Sequence, residues 1–264
     1  MPSVKVNGVQ LFYKESGTGP ETIVFSHGFL MDHSMFEPQR AAFEGQYRVI
    51  AYDHRGQGQS QDPGHGHDME TLTEDAAALI RALQVGPCHF AGLSMGGFVG
   101  IRLAARHPEL VRSLTLMGTG AEKEPLPSRM RYGLLAQLVK VVSPAPFTSI
   151  AVKELFGATT RNSAAQRPML DEWTIKLRSR PRNIAKSLLG VMNRRGVTDE
   201  LGSIRCPTLV IVGEDDTARP PRDGERLASG IQGARLVRIP GCGHSSSIEA
   251  PDAVTAAMRE VLLS

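Results

Sequence analysis

The sequence predicts an α/β protein: a mostly parallel, eight-stranded sheet with helices on both faces and a helical insertion in the second half of the chain. Three observations carry this expectation. Short apolar runs alternate with longer stretches of helical periodicity, as in sheets whose strands are joined by crossover helices. The pentapeptide Gly92-Leu93-Ser94-Met95-Gly96 stands where one such run gives way to one such helix. The alternation stops near residue 121 and resumes after residue 201, as it would if separate helices were inserted into one framework.

In chain order, strand patterns fall at residues 4–6, 11–15, 22–26, 47–52, 88–93, 111–118, 208–212 and 235–239. Asn7-Gly8 is a tight-turn signal, so the first two strands should form an antiparallel hairpin. Helical periodicity marks residues 71–83, 98–107, 222–229 and 251–262, and Pro207 opens a strand, where its missing N–H costs least. Residues 1–120 and 202–264 are expected to form the sheet core. Residues 121–201 read as short helices broken by Pro125, Pro127, Pro144, Pro146, Pro168 and Pro181. This insertion holds the only tryptophan, Trp173, and carries fourteen Lys or Arg against seven Asp or Glu. It should cover the sheet end above the strand C-termini, where ligands bind in open α/β sheets. Its basic surplus would favour anionic substrates if arranged around a pocket, but charge without placed geometry is more commonly a solvated face.

A chain of 264 residues suits one α/β domain carrying an insertion. With 41% hydrophobic and 22% charged residues its composition is that of a folded globular protein, not a disordered one. A net charge of +3, without repeats or basic residues interleaved with aromatics, gives no reason to expect a nucleic-acid partner. No stretch approaches the ~18 uninterrupted apolar residues of a membrane span, and residues 1–8 lack the apolar core of a secretory signal. A cytoplasmic protein without a membrane partner is expected. Cys88, Cys206 and Cys242 are odd in number, widely spaced and outside any Cys-x-x-Cys pair, which suits reduced thiols better than a disulfide framework or structural zinc. His65-Gly66-His67 could chelate a metal, but it lies in a Gly-, Pro- and Asp-rich loop. Neither metal nor cofactor is expected.

A serine forced into a sharp strand-to-helix turn has crowded backbone on both sides, so glycine is needed two residues before and two after it. The turn lifts the Ser94 hydroxyl above the sheet and aims the first helix amides at whatever it attacks. Such a hydroxyl needs a base to take its proton, and the base needs a third group to orient it. Histidine suits the task near neutral pH. Of the eight histidines, His244 is best placed, following the last strand in Ile239-Pro240-Gly241-Cys242-Gly243-His244. His107 precedes Pro108 at a helix end, His89 opens the serine's own strand, and His33 and His54 lie in loops that could line the site. The acid should follow the preceding strand, in Gly213-Glu214-Asp215-Asp216. Spacing favours Asp216 and leaves Asp215 as the competitor, since like charges in a dry site oppose one another. For the charge that develops on an attacked carbonyl oxygen, the Met95 amide is one donor and the Phe29 amide the other, with Gly28 permitting close approach. His27 and Gly28 shape that loop beside the substrate. Met31, Met35, Phe36, Met95 and Phe98, with Met130, Phe147 and Trp173 from the insertion, are candidates for an apolar pocket.

Together these residues resemble the α/β-hydrolase family over nearly the whole chain. Ser94, Asp216 and His244 stand in its order of nucleophile, acid and histidine. His27-Gly28-Phe29 resembles its oxyanion loop, and Asp53-His54-Arg55-Gly56-Gln57-Gly58-Gln59-Ser60 resembles its Asp-x-Arg-Gly-x-Gly-x-Ser turn. Gly213-x-x-Asp216 resembles the place of its acid, and His244 with Glu249-Ala250-Pro251 the region around its histidine. The resemblance implies the α/β-hydrolase fold, a helical cap over 121–201, a Ser-His-Asp triad and Asp216 in preference to Asp215. A serine at the elbow, rather than aspartate or cysteine, sets the chain apart from haloalkane dehalogenases, epoxide hydrolases and dienelactone hydrolases. It is most similar to the small esterase and lactonase members. The implied function is a serine hydrolase of carboxylic esters, lactones included, acting through an acyl-enzyme on a small-molecule ester or lactone. A dedicated lactonase for acyl-homoserine or enol lactones, with incidental esterase activity, is the alternative. A hydrolase-fold ligand-binding protein is a more distant one.

Overall fold

The computed structural model describes residues 2–262. Eight strands form one sheet: β1 (Ser3–Val6), β2 (Val9–Ser16), β3 (Thr22–Ser26), β4 (Arg48–Tyr52), β5 (Cys88–Leu93), β6 (Val111–Met117), β7 (Thr208–Gly213) and β8 (Arg235–Ile239). Their order across the sheet is β1-β2-β4-β3-β5-β6-β7-β8. Only the β1–β2 and β2–β4 pairings are antiparallel; the rest are parallel. Asn7 and Gly8, with φ of 44° and 74°, turn β1 into β2 as the hairpin signal predicts.

β3, β5 and β7 are buried along their whole length, as central parallel strands covered on both faces must be. Alternate side chains feed two cores. Val24 and Phe90 meet the helices Met69–Ala82 and Met95–Arg106 on one face, and Val210 meets the helix Pro221–Gly230 there. Ile23, Phe25, Ala91 and Ile211 meet Glu37–Phe43 and Pro251–Leu262 on the other. The first two helices start earlier than their periodicity suggests. Met69–Ala82 begins where Asp68 caps it, its carboxylate accepting the Thr71 N–H at 2.9 Å. Met95–Arg106 begins directly after Ser94, and Gly96 and Gly97, weak helix formers, hide that first turn. The seven-residue helix Glu37–Phe43 is too short for its period to show in the sequence.

Between β6 and β7 the chain runs through the helices Leu126–Val141, Thr148–Leu155, Ala158–Asn162, Arg167–Arg178 and Ile184–Met192. The segment closes on itself where the Val197 N–H donates to Ala121 O at 2.8 Å. Several of its prolines open helices instead of breaking them. Pro127 and Pro168 occupy first turns, where an N–H would have no partner. Most of the basic residues of this segment are exposed, as a solvated face would be, but three of them reach the loops beneath it. Arg180 donates to Asp32 and to Leu30 O, each at 2.8 Å, Lys186 to Asp62 at 3.0 Å, and Lys176 to Ser34 at 3.1 Å. The charge asymmetry of the sequence is therefore in part a complementarity between the helical segment and the loops beneath it. No helix among the described residues is long and apolar enough to cross a membrane.

Candidate active site

Ser94 joins β5 to the helix Met95–Arg106 with φ 53° and ψ −109°, a conformation L-residues avoid and surrounding structure must hold at a cost of ~1–3 kcal/mol. The Ser94 N–H donates to Met117 O at 2.8 Å, and its carbonyl accepts from Thr119 Oγ1 and the Phe98 N–H, each at 2.9 Å. The flanking glycines are required by close approach. A Cβ on Gly92 would run into the Gly96 carbonyl, and one on Gly96 into the Ser26 carbonyl. The Ser94 hydroxyl borders a cavity and forms no hydrogen bond among the described residues.

His244 borders the same cavity from the loop after β8. Its Nδ1 lies 2.8 Å from Asp216 Oδ2, with the imidazole 4% exposed and the carboxylate fully buried. The other carboxylate oxygen, Oδ1, accepts the Arg219 N–H at 2.8 Å. The neighbouring acids go elsewhere: Glu214 is exposed, and Asp215 accepts the Thr159 N–H of the helical segment at 3.0 Å. Of the three acids in the turn, it is Asp216 that meets the imidazole. Four other histidines have partners of their own. His107 pairs with Glu74, His89 with Ser113, His67 with Asp62, and His33 with Asp53. None of these borders the cavity.

The 27–30 loop abuts the elbow: a methyl placed on Gly28 would lie 3.6 Å from Ser94 Cβ. The Phe29 amide has no acceptor among the described residues, and Met95 supplies the first amide of its helix, which has no intrahelical acceptor. The loop is propped from below by the 53–60 turn. Gln57 Oε1 accepts the Leu30 N–H at 3.2 Å, and Asp53 accepts the His33 N–H at 2.7 Å. His27, expected beside the substrate, points away from the cavity into the core. Its Nε2 accepts the His54 N–H at 3.0 Å, so the neutral ring carries its proton on Nδ1, 2.8 Å from Gly28 O. Burial lowers the pKa of His27, the nearby Asp53 opposing; burial and the neighbouring His27 push His54 well below the usual range.

The cavity has a volume of about 170 Å³. Gly28, Phe29, Met31, Ser94 and Phe98 form its floor, and Leu135, Val139, Phe147, Leu188 and Val191 of the helical segment form much of its walls and roof. Several expected pocket residues lie elsewhere. Trp173 is buried among Leu170, Leu177 and Phe156 under a Lys176 cation 4.3 Å from its ring, and Met130 is 68% exposed on the outer face of its helix. Met35 and Phe36 belong to the core beneath β3. One wall of the cavity is charged, and no motif or periodicity of the sequence marks it. Glu124 and Arg219 border the cavity, paired with each other, and Glu124 also accepts from Arg194 Nη1 at 2.8 Å. The Arg194 guanidinium lies 4.2 Å above the Phe98 ring, and burial pulls its pKa down to about 10, Arg219 adding to the effect and Glu124 opposing it. Glu124 and Arg219 are 95 positions apart with no shared pattern. Among the described residues no group of three His, Cys, Asp or Glu gathers as a metal site.

Fold and elbow together define a class, and comparison with known proteins agrees. Residues 21–251 match the family model for the alpha/beta hydrolase fold, and the chain belongs to that family. The enol-lactonase from Burkholderia xenovorans LB400 shares 30% identity with it at a TM-score of 0.92, covering 100% of both chains. A thermophilic esterase from Thermogutta terrifontis shares 30% identity at a TM-score of 0.91, covering 99% of this chain and 96% of that one. A non-heme haloperoxidase of Rhodococcus erythropolis is 29% identical, with 97% of each chain covered. The protein is thus an α/β-hydrolase with esterases, lactonases and haloperoxidases among its relatives.

Proposed function

We propose that this chain hydrolyses carboxylic esters, lactones included, through an acyl-enzyme on Ser94. The observation that carries the reading is that Ser94, on its strained elbow, and His244, which is paired with the buried Asp216, border one largely apolar cavity. His244 Nε2 takes the serine proton as Oγ attacks the acyl carbon. Asp216 holds the proton on Nδ1, which keeps Nε2 free as the base, and stabilises the imidazolium. The Met95 and Phe29 amides receive the oxyanion. His244 then protonates the leaving alkoxide and draws a proton from the water that clears the acyl-enzyme.

The helices between residues 121 and 201 act as a cap. Their apolar inner faces exclude water from Ser94 and suit an uncharged acyl chain or ring. The likeness to the enol-lactonase along both whole chains supports a cyclic ester as preferred substrate, which is the second reading. Both are tested by a panel of p-nitrophenyl acetate, butyrate and octanoate beside γ-lactones and homoserine lactones. Purified Ser94→Ala should fold and be inactive; turnover retained in that variant would sink the nucleophile assignment. A lactone kcat/KM above that of an open-chain ester of matched acyl length selects the lactonase reading. Stoichiometric ligand binding without turnover by the wild type would mark a binding protein instead.

A further inference from the structure

Glu249 is 5% exposed and has no part in the steps above. Its two carboxylate oxygens accept three backbone N–H groups: Gly157 at 2.8 Å and Gly243 at 3.1 Å on Oε2, and Ser245 at 3.0 Å on Oε1. Gly243 and Ser245 are the residues on either side of His244. Gly157 belongs to the helical segment, as the residue before Ala158–Asn162, and Thr160 of that helix adds a side-chain hydrogen bond. One carboxylate therefore grips the backbone on both flanks of the imidazole and ties it to the segment that roofs the cavity.

The junction is built for this contact. Gly157 and Gly243 approach so closely that a Cβ on either would meet the backbone of the other, and the Ser245 N–H is shared with Leu155 O at 3.0 Å. The acid loop is fastened to the same stretch, since Asp215 accepts the Thr159 N–H and the Asp215 N–H donates to Cys242 O at 2.8 Å. A carboxylate suits the junction because it has two oxygens and no competing donor, whereas a glutamine would set its NH₂ against an amide N–H. Burial raises the Glu249 carboxyl above its usual range, and the four donors oppose that rise.

We propose that Glu249 is a positioning residue that fixes the His244 loop and locks it to the helical segment, so that the imidazole stays aligned with Ser94 and Asp216 while the segment is seated. The proposal rests on the reading of His244 as the base. The test is Glu249→Gln in the full chain, followed by steady-state kinetics on p-nitrophenyl acetate, the rate of Ser94 labelling by a fluorophosphonate, and the low-field proton resonance of the His244–Asp216 hydrogen bond. In a cooperatively melting variant, kcat and the labelling rate should fall ~10–10²-fold, the size of loss that misplacing a catalytic group by an ångström produces. KM should stay within about twofold, and the low-field resonance should broaden or vanish. Unchanged kcat with an unchanged resonance overturns the proposal, as does a loss of activity matched by a loss of folded protein alone. If the variant does not fold, hydrogen exchange in the wild type decides. The amides of Gly157, Gly243 and Ser245 should be protected and open together, and fast or independent exchange refutes the lock. A wild type that the fluorophosphonate does not label refutes the hydrolase reading, and the resonance and exchange measurements still judge the lock.

Discussion

Replacing Asp216 by asparagine should do more than remove a charge, because its neighbours dictate how the amide sits. Asp216 Oδ1 accepts the Arg219 N–H at 2.8 Å, so the amide oxygen of Asp216→Asn is retained there and the NH₂ turns to His244 Nδ1. A donor at that point makes Nδ1 the acceptor and moves the ring proton to Nε2, the atom that must receive the serine proton. A reversed tautomer of this kind costs a serine hydrolase ~10²–10⁴ in turnover, equivalent to about 3–5 kcal/mol of transition-state stabilisation. Asp215→Asn is the matched control. It removes the same charge one position away, touches Thr159 and not the imidazole, and keeps an oxygen to accept that N–H. Its kcat/KM should stay within about threefold of wild type, with the lost charge costing ~0.3–1 kcal/mol of stability at most. Both variants are assayed on p-nitrophenyl butyrate between pH 7 and 8, with thermal melts alongside. Equal losses in the two, or the reverse ranking, refute the assignment of Asp216 as the orienting acid.

The elbow and the buried histidines give two further expectations. Ser94→Gly removes the side chain from a residue held at φ 53°, so it should abolish turnover yet raise stability by ~1 kcal/mol in urea unfolding; lower stability would mean that no strain is stored at Ser94. Burial lowers the pKa of both His27 and His54, so below pH ~6.5 the unfolded chain binds protons that the folded chain resists. Stability is therefore present above that pH and should fall on acidification by up to ~1.4 kcal/mol per pH unit for each histidine. His54→Gln should flatten the decline measured by urea unfolding at pH 7, 6 and 5, and an unchanged slope refutes the attribution.

The sheet was legible in the sequence because buried parallel strands leave continuous apolar runs, and the elbow because glycine spacing there answers to backbone collision. What sequence could not show was which way a loop side chain points. His27 precedes the Gly28 that abuts the Ser94 elbow, yet one hydrogen bond from the His54 N–H draws its ring into the core. Trp173 is in the helical segment, but its ring fills the interior of that segment instead of the cavity. The Glu124–Arg219 pair left no trace either, because charge pairing between distant loops obeys no period. Glu249 was visible only as part of a resemblance. Its physical role depends on three amides from two separate stretches of chain arriving at one carboxylate.

The placement of these groups separates chemistry from selection. In the proposed mechanism Ser94, Asp216 and His244 lie just beyond the ends of β5, β7 and β8, and the parallel register of β5, β6, β7 and β8 sets their spacing. The cavity walls come largely from helices tied to that framework by side-chain pairs such as Arg180–Asp32 and Lys186–Asp62. The partly exposed Lys186–Asp62 pair contributes only ~0–1 kcal/mol to stability, so its part is to orient the segment more than to hold the fold together. The wall can therefore change its side chains, and with them the acyl group admitted, without disturbing the strand ends that align the triad. The junction at Glu249 and Asp215 is where that independence ends, because there the segment and the two catalytic loops share the same hydrogen bonds. Substitutions at Leu135, Val139 or Leu188 should consequently alter which esters are cleaved, whereas changes near Gly157 should alter how fast any ester is cleaved.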